Sequence, residues 1–154
     1  MNRLRRPLDF ARIEDVIPDV DRLMLGHRTV GRWTLGQILG HLASAIDYSM
    51  GGYPQPPLPL PARAVLGPIA KWSILSRGKI MEGAPLPLAY RPSPDLHATA
   101  ESGRLREAIG RLVAFGGPFA LHPIAGTMSP EQWLRFHRVH CAHHLSFALP
   151  EAQS

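Results

Sequence analysis

The sequence predicts an all-α fold, a four-helix bundle with a long proline-rich connection between the second and third main helices. Three observations predict it. Four sizeable segments carry apolar residues at the three-and-four spacing of amphipathic helices. No segment shows the alternation of a half-buried strand. Between the middle pair lies a stretch too dense in proline for helix or central strand. The chain of 154 residues, 45% hydrophobic, fits one domain over 1–154 with its own core and no internal repeat.

The first helix is expected over 9–25, where Phe10, Ile13, Ile17, Val20 and Met24 form the apolar stripe. Pro18 should kink it or mark a restart, and Gly26 is placed to close it. The second helix, 35–50, opens at Thr34 with Gln37 three residues on, the pattern of a capping box, and stops at Gly51-Gly52. Its wheel groups Gln37, Ile38, His41, Ser44, Ala45 and Tyr48 on one unusually polar inner face. Two readings fit that face: its polar groups satisfy one another in the bundle, or Gln37 and Tyr48 line a pocket beside His41. Residues 53–61 should be extended, and a short helix is expected over 65–75, after Pro68. Residues 78–94 contain four prolines and should form an irregular loop lying over a site or groove. The third main helix, 94–115, carries Ala98, Leu105, Ala108, Ile109, Leu112 and Phe115 on its stripe, with His97 facing solvent. It starts near Ser93-Pro94 and stops at Gly116-Gly117-Pro118.

The last helix, 129–150, has Ser129 as cap, Pro130 at the first helical position and Gln132 completing a second capping box. Pro150 ends it. At about 100° per residue, Trp133, Phe136, His137, His140, His144, Phe147 and Ala148 share one face, with Cys141 at its edge. A buried imidazole without partners costs roughly 1–3 kcal/mol, so histidines among core aromatics need a reason. His140 and His144 stand about 6 Å apart along the axis, a spacing that lets both rings reach one metal ion. His143 is rotated away from that ion, and His137 lies too far from His144 to share it. In a bundle, residues at matching depth converge, which brings His41 of the second helix toward the pair. Three imidazoles meeting there make a facial site with an open position, the arrangement of a catalytic metal. Such a ligand set suits zinc, nickel or iron.

The net charge of +5 and pI near 10.1 come from scattered basic residues, with Arg3, Arg5 and Arg6 the densest group. No basic helix interleaved with aromatics is present, which argues against nucleic acid as a partner. The lone Cys141 cannot form an internal disulfide and suits a reducing, cytoplasmic setting. Its apolar neighbours predict an inert thiol. The N-terminus has no apolar run of a signal peptide, and no segment approaches the roughly 18 residues of a membrane span.

Three patches carry a family resemblance: W-T-L-G-Q-I-L-G-H-L at 33–42, H-P-x-x-G-x-M-S at 122–129 and H-C-A-H-H-L at 140–145. They resemble the DinB/YfiT-like superfamily of metal-dependent four-helix bundles, and within it a bacterial branch known only as a domain of unknown function. The resemblance implies a divalent metal held by one histidine of the second helix and H-x-x-x-H of the last, which match His41, His140 and His144. It also implies, as one activity among relatives, transfer of a low-molecular-weight thiol to an electrophile. Phe147 stands where a polar residue often follows the histidine pair in relatives, and Ile124-Ala125 where an aromatic is common before Gly126, departures that bear on the substrate pocket and not on the triad.

The leading expectation is therefore a metal-dependent enzyme, a thiol transferase or a hydrolase activating water. In it His41, His140 and His144 are ligands and Gln37, Tyr48, His122 and His137 shape the pocket around a small-molecule substrate. No separate catalytic base is identifiable. His122, before Pro123, is either a loop anchor or a pocket residue. The competing reading is a non-catalytic bundle with structural histidines, acting through a homodimer or another partner.

Overall fold

The computed structural model describes residues 5–82 and 86–151. Arg3 of the basic group and Pro85 of the long loop lie outside them. The protein is mostly helical. Among the described residues are five α-helices, α1 Val16–Leu25, α2 Leu35–Gly51, α3 Leu60–Lys71, α4 Ala98–Ala114 and α5 Pro130–Leu145. A single two-stranded sheet pairs β1, His27–Thr29, with β2, Ala148–Pro150. Among the described residues no helix is long and apolar enough to cross a membrane.

The chain enters α1 through a 3₁₀ turn, Ile13–Asp15. Pro18 therefore falls in the first turn of α1, where its missing N–H has no intrahelical partner to lose. Asp19 of this helix is buried and forms a two-pronged ion pair with Arg6, at 2.7 and 2.8 Å, and a third contact with Arg22 at 2.8 Å. Burial pushes the Asp19 carboxyl up, but the two guanidiniums win and hold it below its usual value. Arg6 also donates to the Leu145 carbonyl at 3.2 Å, which ties the N-terminal segment to the end of α5.

Helices α2 and α4 pack most closely, and two glycines explain why. A Cβ on Gly36 would stand 2.1 Å from the Leu96 carbonyl oxygen, and one on Gly40 would meet Leu96 and Glu101 at 2.5 and 2.9 Å. Leu35, Ile38, Leu39, Leu42, Ala43 and Ile46 from α2 meet Leu105, Ala108, Ile109 and Leu112 from α4 in the main core, with Cys141, Ala142 and Leu145 of α5. A second cluster, Ala125, Met128, Trp133 and Phe136, lies at the N-terminal end of α5.

The structure corrects several element expectations, the first being that α1 begins at Val16 rather than 9, behind the 3₁₀ turn. The last helix stops at Leu145 rather than 150: Phe147 N–H bonds the His144 carbonyl in a tight turn, and the chain leaves as β2. In β2, Ala148, Leu149 and Pro150 face Thr29, Arg28 and His27. Strands of three residues are too short for alternation to reveal. α4 begins at Ala98, four residues later than expected, because 93–97 are extended or turn. α3 begins at Leu60, not 65, with Pro61 in its first turn and Pro68 inside. Pro68 and Ala64, the residue whose carbonyl it leaves free, are both exposed, so water replaces the lost bond. A wide π-type turn, Trp72–Ser76, follows.

Candidate metal centre

Both histidine-bearing helices start at fixed points. The Gln37 N–H donates to Thr34 Oγ1 at 3.2 Å while Gln37 Oε1 accepts from the Thr34 N–H at 3.0 Å. Ser129 and Gln132 repeat the exchange at the head of α5, at 3.2 and 2.9 Å. These two capping boxes set the phase of each wheel. They place His41 against the His140–His144 pair.

The ligating nitrogens of the three rings lie within 4.8 Å of one another. His41 Nε2 and His140 Nε2 are 3.2 Å apart. Two nitrogens bound at zinc distances to one tetrahedral ion sit about 3.3 Å apart, so this pair is already at that separation. The ring centroids form a near-regular triangle of 5.1, 4.7 and 4.7 Å, with every pair edge to face. Trp33 stacks on His144 at 5.3 Å and tilts over His41 at 5.0 Å, closing one side.

Burial keeps these rings neutral. It pushes His41 down to about 4, with the Tyr90 backbone opposing and His143 adding to the shift. It also holds His140 and His144 well below the usual histidine range, each further depressed by its neighbours. Neutral imidazoles have the lone pairs that a metal requires. His140 Nδ1 is buried with no hydrogen-bond partner among the described residues. Three neutral imidazoles this close, two of them joined at 3.2 Å through Nε2 and one with an orphaned Nδ1, fit a cation.

The triad forms part of the wall of a cavity of about 670 Å³. Tyr48 and His122 line it as well, as does His143 beside the triad. Two other residues expected there do not. Gln37 is occupied by the capping box. His137, 1% exposed, is a satisfied core histidine. Its Nε2 donates to Ser49 Oγ at 2.9 Å, because the Ser49 hydroxyl hydrogen goes to the Ile46 carbonyl at 2.6 Å. Its ring stacks on Trp133 at 5.5 Å. Burial, then His122, lowers it to about 3. Cys141 is buried, with its thiol pushed up to about 12, which leaves no thiolate at neutral pH.

His122 serves its loop and the cavity together. Its Nδ1 accepts from the Ile124 and Ala125 N–H groups at 3.1 and 3.0 Å, and its backbone exchanges two bonds with Gly126, whose φ is +75°. Sequence reasoning missed Trp33, Tyr53 and Tyr90 as wall residues. Trp33 stands outside the helical wheel, and the two tyrosines sit in proline-rich segments without periodicity. The 78–94 loop does lie over the site, through Ile80, Met81, Leu86, Pro87 and Tyr90 among others.

No curated protein and no solved structure matches this chain. One family does, over residues 1–151, described as a protein of unknown function (DUF1569). Its match covers both histidine-bearing helices and the His122 loop, and the chain belongs to that family.

Proposed function

We propose that the protein is a metal-dependent enzyme in which His41, His140 and His144 hold one divalent cation at the wall of the cavity. The observation that carries this reading is the convergence of three neutral imidazoles, within 4.8 Å, beside a space large enough for a small molecule. A DinB-like descent, which the short patches around these histidines suggest, is part of the same reading. When bound, the cation supplies Lewis acidity at an open position, lowering the pKa of a thiol or water. The chain does the rest. Trp33 fixes two ligand rings, and the Tyr48, Tyr53 and Phe136 walls exclude water and orient an apolar substrate. The favoured chemistry is transfer of a low-molecular-weight thiol to an electrophile, with hydrolysis by activated water as its variant.

Cobalt substitution tests this reading. Loaded with Co(II), the protein should show the intense visible bands of a four-coordinate nitrogen site. Adding 2-mercaptoethanol should bring a thiolate-to-cobalt charge-transfer band. A spectrum of aqueous, six-coordinate Co(II) that thiol leaves unchanged would overturn it.

A second reading has one observation in its favour. Leu60, Val65, Leu66, Ile69 and Trp72, on α3 and the turn after it, are 45–68% exposed, as in a helix that docks on a copy of itself or on another partner. Sedimentation tests the self-association that this reading expects, and metal stoichiometry separates it from the enzyme reading.

A further inference from the structure

Beyond Phe136 from the triad, the cavity wall is built around His122, and its hydrogen bonds fix the ring's chemistry. Nδ1 accepts two backbone N–H groups, from Ile124 and Ala125. A nitrogen that accepts twice cannot carry the proton, so the neutral ring carries it on Nε2. Burial, with a smaller contribution from Lys71, pushes the ring down to about 4, so it stays neutral at physiological pH. The loop occupies one edge of the ring, leaving Nε2–H on the side of the cavity that His122 lines. There it is a fixed, uncharged donor. Tyr53 meets the ring edge to face at 5.7 Å, and burial, then Tyr90, pushes the Tyr53 phenol up, so it too remains a donor.

Between His122 and the triad stands Phe136. Its ring is 5.2 Å from His122 and 5.6 Å from His140, so the donor and the triad are separated by no more than one aromatic ring and its contacts. No acidic or basic side chain is needed to explain this end of the cavity. Its walls are aromatic and aliphatic, and the one acceptor nitrogen of His122 is already used by the loop.

We propose that His122 Nε2–H is the specificity-determining donor of the site, and that the cavity takes an aromatic or similarly flat apolar molecule carrying a neutral oxygen acceptor, such as a ketone carbonyl, at the end remote from the triad. The proposal rests on the metal-site reading for the near end of the ligand only. The oxygen is received by His122, the flat body lies along Phe136, and a thiol or other donor atom reaches the triad. His122 is thereby an orienting residue that touches substrate, and its loop bonds exist to fix the tautomer.

The test uses two probes with the same ring and thiol, 4-mercaptoacetophenone and 4-ethylthiophenol, which differ in the carbonyl. Both are titrated into the zinc-loaded parent and into His122→Asn. The Asn side-chain oxygen replaces Nδ1 as acceptor for the loop N–H groups, while the cavity-side donor is lost. The parent should prefer the ketone by about fivefold to tenfold, the worth of one hydrogen bond. His122→Asn should lose that preference while keeping its zinc content and its affinity for 4-ethylthiophenol. The same ratio in both proteins, no preference in the parent, or binding of neither probe would overturn the proposal. Should the variant not fold, ¹⁵N spectra of the parent decide: the His122 proton must sit on Nε2, and its signal must move with the ketone and not with the ethyl compound. Zinc-free parent, probed with acetophenone and ethylbenzene, reads His122 without the triad, so failure of the metal site is told apart from failure of this donor.

Discussion

His137 and His140 stand less than one turn apart on α5, and burial drives both toward the neutral form, yet they belong to different regions of the molecule. At His137 the ring is bonded into the core: Nε2 donates to Ser49, and Ser49 donates to Ile46. Around His140 the pairing is incomplete. Its Nε2 meets His41 Nε2 at hydrogen-bond distance, 3.2 Å, but its Nδ1 has no partner among the described residues. The difference separates a core histidine from the one that we propose serves a ligand: burial does not distinguish them, whereas the orphaned Nδ1 of His140 does.

Acid should break the comparison first, and with the largest effect. His137 is held near 3 in the fold, against about 6.5 in the unfolded chain. Because its folded value is depressed, its contribution is complete above about pH 6.5 and is lost as pH falls toward 3, where the unfolded state binds the extra proton. Chelator-treated protein should therefore lose about 2 kcal/mol from this group alone between pH 7 and 5, with His41 and His122 adding to the loss. Urea midpoints across that range measure it; a flat profile would contradict buried, neutral imidazoles.

Next in size is His137→Leu. It strips Ser49 Oγ of its donor in a dry site and should lower stability by about 1–3 kcal/mol, with metal content unchanged. The same change at His140 should cost less. His140→Leu removes the orphaned Nδ1, and although His41 Nε2 loses its partner it does so at the cavity wall, so the metal-free protein should change by less than about 1 kcal/mol. Thermal unfolding of both variants beside the parent reads the contrast. Equal destabilisation would mean that the triad is part of the core.

How far the site was legible from sequence follows from what each residue obeys. His140 and His144 were visible because i,i+4 spacing puts two rings on one helix face, and His41 because its helix carried its own start signal at Thr34 and Gln37. The same signal misled for Gln37. Its wheel position points inward, but its amide is claimed by the N-terminus of its own helix, and the local bond prevails. Distance from His144 sets His137 aside as a ligand, but its wheel position still puts it at the pocket, because Ser49, its partner, lies 88 residues away on another helix. The three-residue strands and the early start of α3 depend on pairing and exposure that no local pattern encodes. Tyr53 and Tyr90 reach the cavity from proline-rich segments, where side-chain direction has no period to follow.

Metal content by plasma mass spectrometry tests the central claim most directly, on untagged parent, His41→Ala, His144→Ala and His137→Leu, each reconstituted with zinc at neutral pH and desalted. The account predicts about one equivalent in the parent and in His137→Leu, and near none in the two alanine variants, with all four folded by circular dichroism. A parent that retains no metal, or a His144→Ala protein that retains as much as the parent, would contradict it.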